Sequence, residues 1–187
     1  MGYRSLCMLW ISSVLFATTA CVQGDGKADI GQIAATKSPD QRVENLREAA
    51  EAMNSAMLNR DAERFVDFTL PQLAESAGGR SKLVEVLKES FTKTFDAFST
   101  VTLETLEPEA LVEIDKKLFG VVPFRIEGVI EENNNSVISQ ASMVGVSSDN
   151  GFTWKFASDA TFFEFFPEAV GKITIPKERI SVNGVEQ

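Results

Sequence analysis

Apolar residues recur at helical spacing over the first part of the chain and then alternate. Ser38-Pro39-Asp40-Gln41 carries the signals of a helix start. The Ser38 hydroxyl suits a free N–H, Pro39 suits the first turn, and Gln41 can reach back. Val43, Leu46, Ala50, Met53 and Met57 then form one apolar stripe. Asn59-Arg60-Asp61 breaks that run, and Asp61 can cap a short helix carrying Phe65, Val66 and Phe68. Pro71 restarts the chain for about a turn, which Gly78-Gly79 ends. A further helix is expected from Ser81 to about Phe98. Its buried face is Leu83, Val84, Leu87, Phe91 and Phe95, and Lys82, Glu85, Lys88 and Glu89 face water.

Beyond residue 100 the period changes to two. Val101 to Leu106 alternates and reads as a strand, and Leu111 to Ile114 as a weaker second one. Residues 117–131 form the longest run. Leu118, Val122, Phe124, Ile126 and Ile130 at its even positions are expected to face the helices. Pro123 cannot donate to a ladder, so a bulge, bend or edge is expected there. Glu132-Asn133-Asn134-Asn135 turns the chain into a returning strand from Val137 to Val146. Its small residues, Ser139, Ala141, Ser142 and Gly145, allow a backbone or a ligand to come close. Phe152, Trp154 and Phe156 are expected to line one face of the next strand. Phe162, Phe163, Phe165 and Phe166 precede Pro167, and Ile173-Thr174-Ile175-Pro176 is expected to close the domain. Four Phe around Glu164 suit a core plug or a cavity mouth. Helices first and antiparallel strands afterwards make an α+β fold, with N-terminal helices packed on a bent antiparallel sheet.

Composition narrows the chemistry. The 187 residues suffice for one domain of ordinary size. A formal net charge of −9 repels phosphate backbones, which argues against a nucleic-acid partner. There is no His, and the single Tyr is Tyr3. Cys7 and Cys21 fit no zinc spacing, so neither a metal nor any other cofactor is expected. The acidic run Glu104, Glu107, Glu109, Glu113 and Asp115 lacks an EF-hand loop and reads as a solvated strand.

After Arg4, residues 5–20 carry no charge and end in small residues before Cys21, as an export signal does. Residues 1–20 are therefore expected to be a signal peptide. Residues 21–37 follow as an anchor Cys and a flexible tether, and residues 38–187 as the domain. The tether is small and polar, with a mean span of roughly 20–25 Å. Thr18-Thr19-Ala20-Cys21 resembles the lipobox of bacterial lipoproteins, with Thr18 where Leu usually stands. The resemblance implies lipidation of Cys21 and a membrane-anchored place in the bacterial cell envelope. A plain secretory signal cut at the same bond would leave a soluble, secreted or periplasmic protein.

Ser147-x-Asp149-x-Gly151-x-Thr153-Trp154 resembles the Asp-box hairpin of sialidase-type propellers. One copy cannot make a propeller, so it is read as a local clasp. The wider plan resembles the cone-shaped nuclear transport factor 2-like domain shared with SnoaL-type cyclases and ketosteroid isomerases. The phrases that carry it are Asn59-Arg60-Asp61-Ala62-Glu63-Arg64-Phe65 and Gly151-Phe152-Thr153-Trp154-Lys155-Phe156. That resemblance implies a pocket between sheet and helices, and pairing of two copies through the sheet.

Enzymes of that family use carboxylates with Tyr or His, and without its leader this chain has neither. The expected function is therefore a non-enzymatic exported lipoprotein that binds a small apolar ligand or a protein partner. Arg125, Glu127, Trp154, Phe162 and Phe166 are its candidate cavity or partner-surface residues. The alternative is a small-molecule isomerase, cyclase or epoxide-hydrolase-type enzyme using Asp, Glu and Arg only, with Arg125 and Glu127 as the set to inspect. A charged pair on a strand also reads as a solvated cross-strand ion pair.

Overall fold

The computed structural model describes residues 41–186. The leader, Cys21, the tether and the Ser38 cap lie outside the described residues. Helix α1 (Gln41–Leu58) buries Leu46, Ala50, Met53 and Met57 as their spacing requires. It ends where Arg60 takes φ +56°, and the Asp61 N–H closes the turn on the Ala56 carbonyl at 2.8 Å. The Asp61 carboxylate then accepts the Arg64 N–H at 3.0 Å and caps α2 (Ala62–Phe68). Pro71 opens α3 (Pro71–Ser76), and Gly78 and Gly79 turn the chain at φ +88° and +108° into α4 (Arg80–Phe95). That helix stops earlier than its sequence suggests. Phe98 already belongs to β1 (Phe98–Thr105), where it pairs with Ile130.

Among the described residues seven strands form one sheet in which every strand pair is antiparallel. At its centre β3 (Lys117–Ile130) pairs with β4 (Ser136–Ser147). The far flank of β3 holds β1 and then β2 (Val112–Ile114). The far flank of β4 holds β5 (Lys155–Ser158) and then β6 (Arg179–Val182), with β7 (Val185–Glu186) outside. Helix α5 (Asp159–Phe165) and a 3-10 turn (Pro167–Ala169) lie between β5 and β6. The architecture is thus α+β, helices followed by a bent antiparallel sheet. Ile173 to Pro176 does not close the domain; the chain continues into β6 and β7.

Pro123 sits where the ladder can spare a donor. Its carbonyl accepts the Leu106 N–H at 2.9 Å, just past the end of β1, while Glu109 donates to Val121 at 2.8 Å. The nitrogen of a strand residue points to the same side as its carbonyl, so the missing N–H faces the gap between β1 and β2.

The even positions of β3 face the helices: Leu118, Val122 and Phe124 share a core with Leu46, Met57, Phe91 and Trp154. The odd positions near its start are buried as well. Phe119 and Val121 join Val144, Val146, Phe162 and Phe166 in a second core under α5. Where α1 crosses the sheet, Gly120 and Gly145 face each other across the β3–β4 pair, and Leu46 fills the space above them. A Cβ on Gly145 would lie 2.5 Å from Leu46 Cδ1 and 3.0 Å from the Phe156 ring.

Candidate functional site

Beside that close crossing the helices stand away from the sheet. The core side of α4 is Val84, Leu87, Phe91 and Phe95. Its adjoining flank, Leu83, Val86, Ser90 and Thr94, repeats at three- and four-residue intervals and walls a cavity of about 520 Å³. Phe65, Thr69 and Leu73 close one side, and Met143 and Phe156 form the sheet side. Thr161, Glu164 and Phe165 from α5 complete it. This volume falls within the range of small-molecule pockets.

The neighbouring cavity is smaller, about 150 Å³, and lies under β1 and β6. Thr94, Phe124, Ser142 and Ser158 line both cavities, so the two adjoin. They meet where β4 changes partner. Its residues 143–146 pair with β5 and 137–140 with β6, which leaves Ala141 and Ser142 between the two strands.

Several hydroxyls in the large cavity are already committed. Thr69 Oγ1 donates to the Phe65 carbonyl at 3.1 Å, and Thr161 and Ser158 hydroxyls lie 3.2 Å apart. The charged residues at its edge, Glu89, Lys93 and Glu164, are exposed. Lys93 Nζ donates to Glu89 at 2.6 Å, and that hydrogen bond holds the Glu89 carboxyl below its ordinary range. Desolvation, which raises a carboxyl toward general-base duty, is not the dominant influence on it. Among the described residues no group of three or more acids or Cys is placed to hold a metal.

The five residues singled out from sequence stand elsewhere. Arg125 and Glu127 form an ion pair at 2.5 Å, each partly exposed. They alternate with Phe124 and Ile126, so they occupy the sheet face opposite both cavities. Trp154 is buried in the main core and donates from Nε1 to the Gly151 carbonyl at 3.2 Å. Phe162 and Phe166 meet Phe119 edge to face in the second core, at centroid distances of 5.6 and 5.4 Å. None of the five lines either cavity. Phe165, one position away, does. Phe152 does not share a face with Trp154 and Phe156; it projects from the turn before β5, 75% exposed.

The turn itself is a compact network. Asp149 accepts the Thr153 N–H at 2.9 Å, the Thr153 hydroxyl at 2.7 Å and the Ser147 hydroxyl at 2.7 Å. Those bonds, the Thr153 N–H foremost, lower its carboxyl to about 2. Gly151, at φ +85°, donates to Ser147 Oγ at 2.8 Å, and Asn45 of α1 donates to its carbonyl at 2.8 Å. The hairpin is thereby fastened to the first helix.

The cavity walls carried little signal in sequence. Ser90 and Thr94 extend the Leu83–Val86–Leu87 stripe, and that continuation of an apolar stripe by hydroxyls was the available clue. Ser139, Ala141 and Ser142 line the small cavity, whereas Gly145 admits Leu46.

No family model matches this chain, and no curated protein matches it. Among solved structures it is similar to a nuclear transport factor 2 (NTF2-like) superfamily protein from Salmonella enterica serovar Typhimurium. The identity is 12% and the TM-score 0.42, over 63% of this chain and 91% of that one.

Proposed function

We propose that this chain is a non-enzymatic, exported lipoprotein whose cone-like domain, of nuclear transport factor 2-like plan, holds a small apolar molecule between sheet and helices. One observation carries the reading: a cavity of about 520 Å³ with an apolar wall, whose charged neighbours all sit in solvent. Catalysis by Asp, Glu and Arg alone would require carboxylates converging with a guanidinium in a dry pocket. Arg125 instead pairs with Glu127 on the opposite sheet face.

Anchoring rests on the uncharged stretch 5–20 after Arg4 and the Thr18-Thr19-Ala20-Cys21 junction. Intact mass of the membrane-extracted protein tests it, with a diacylglyceryl increment on Cys21 expected and an unmodified thiol decisive against it. Titration of an uncharged, environment-sensitive naphthalene dye tests the cavity. Saturable blue-shifted emission is expected, weakened about tenfold in Thr94→Trp, which fills the junction of the two cavities. Equal binding by the variant would refute the cavity as the site.

A further inference from the structure

The two adjoining cavities differ in chemistry. The larger is an apolar chamber with an ion pair at its edge. The smaller has three phenyl rings, Phe95, Phe98 and Phe124, and two carboxylates, Asp159 and Glu178, and among the described residues no cationic side chain lines it. Phe95 and Phe124 are buried. The Glu178 carboxylate is held in place by the hydroxyl of buried Ser139, which donates to it at 3.1 Å. Asp159 accepts the Ala160 N–H at 2.7 Å at the first turn of α5. Phenyl rings beside carboxylates suit an alkylammonium group, and the Phe95 ring already attracts one cation, with Arg60 Cζ 6.0 Å from its centroid. The ring quadrupoles attract the cation, and the carboxylates supply the opposite charge.

The geometry points to an amphiphilic amine as the ligand, with its alkylammonium head in the small cavity and its hydrophobic body in the large one. This rests on the reading of the large cavity as a binding site. Charge at the whole edge agrees. Among the described residues that line the two cavities, Glu89, Glu164, Asp159 and Glu178 stand against Lys93, which is paired with Glu89, while Arg60 beside Phe95 is paired with Asp96. A fatty acid or a phosphorylated lipid would bring its anion to an acidic edge, whereas a cationic head is attracted there. The body has room to follow, because Thr94, Phe124, Ser142 and Ser158 border both chambers. Recognition of this kind also fits a chain with a net charge of −9, which concentrates cations near its surface.

The test compares three probes of one chain length, each below its micelle concentration, by titration calorimetry of the purified full chain. They are dodecyltrimethylammonium, dodecanoate and an uncharged dodecyl glycoside. The cation is expected to bind about tenfold more tightly than dodecanoate at low ionic strength. Glu178→Gln and Asp159→Asn should each weaken the cation about threefold or more and leave the glycoside unchanged. Glu132→Gln, a remote turn charge, should weaken neither.

Equal affinity for all three probes, or preference for dodecanoate, overturns the head-group assignment while leaving the cavity reading standing. A cation preference that survives both cavity-edge variants, or that Glu132→Gln reduces equally, also overturns it by tracing the effect to net charge. Failure of all three probes to bind overturns the assignment together with the cavity reading.

Discussion

Leu46 and Gly145 offer the sharpest test of how α1 is set on the sheet. Leu46 is fully buried, and a Cβ built on Gly145 lies 2.5 Å from its Cδ1, 3.0 Å from Phe156 Cε1 and 3.2 Å from Trp154 Cε3. Gly145→Ala therefore forces a methyl into a packed crossing, at about 1–3 kcal/mol. Lower backbone entropy in the unfolded chain offsets about 0.5–1 kcal/mol of that. Leu46→Ala empties the same space and costs about 2–5 kcal/mol. The new methyl of Gly145→Ala enters the volume Leu46 vacates, so the double variant should be less destabilised than the two singles together. The coupling should be at least about 1 kcal/mol, since the residues share one contact. Urea denaturation of the four proteins, followed by the fluorescence of buried Trp154, measures it. A Gly145→Ala cost that is the same with Leu46 present or absent would refute the packing argument.

Other consequences are separable from that one. Asp149 has its folded-state carboxyl lowered from an ordinary 3.8 to about 2 by the Thr153 and Ser147 donors. The unfolded chain takes up that proton first, so the turn's contribution is complete above about pH 4 and is lost as pH falls toward 2. Discounted for solvent screening it amounts to about 1 kcal/mol. Asp149→Asn should remove that acid-limb loss in denaturation curves taken between those pH values, and an unchanged limb would contradict it. Phe162→Ala, in the second core, should cost about 3–5 kcal/mol, whereas Phe152→Ala on the exposed turn should change stability by no more than about 0.5 kcal/mol. Chemical denaturation showing the reverse order would mean that α5 does not plug the sheet. Glu127→Gln should lower stability by less than about 1 kcal/mol and leave dye affinity unaltered, because the Arg125 pair is partly exposed on the outer face. Loss of dye binding in that variant would bring the pair back into the site.

How far the residues announced this structure depends on how local each interaction is. The clasp around Asp149 was legible because every donor lies within four residues of it in sequence. The inward face of β3 was legible from alternation, and Asp61 from its place before an apolar run. Strand β6 was not: Ile180 and Val182 form a short pair among Arg179, Ser181 and Asn183, and only their register against β4 gives them meaning. Phe98 reads as the end of a helical stripe until pairing with Ile130 claims it. The cavity was the least legible feature. Its wall combines residues from Met53 to Phe165, and Ser90 and Thr94 look solvated until the sheet is placed opposite them. The candidates chosen from sequence were large or charged, and packing put the large ones in the cores and the charged ones on the outer face.

In the proposed function an apolar molecule enters between α4 and the sheet. Methyl-labelled NMR of the protein titrated with the uncharged dodecyl glycoside tests it most directly. Saturable shifts are expected of the Leu73, Leu83, Leu87 and Met143 methyls, which line the large cavity. Shifts confined to outward-facing Val129 and Ile138, or to exposed Val170 and Val185, with the cavity methyls unmoved, would contradict it.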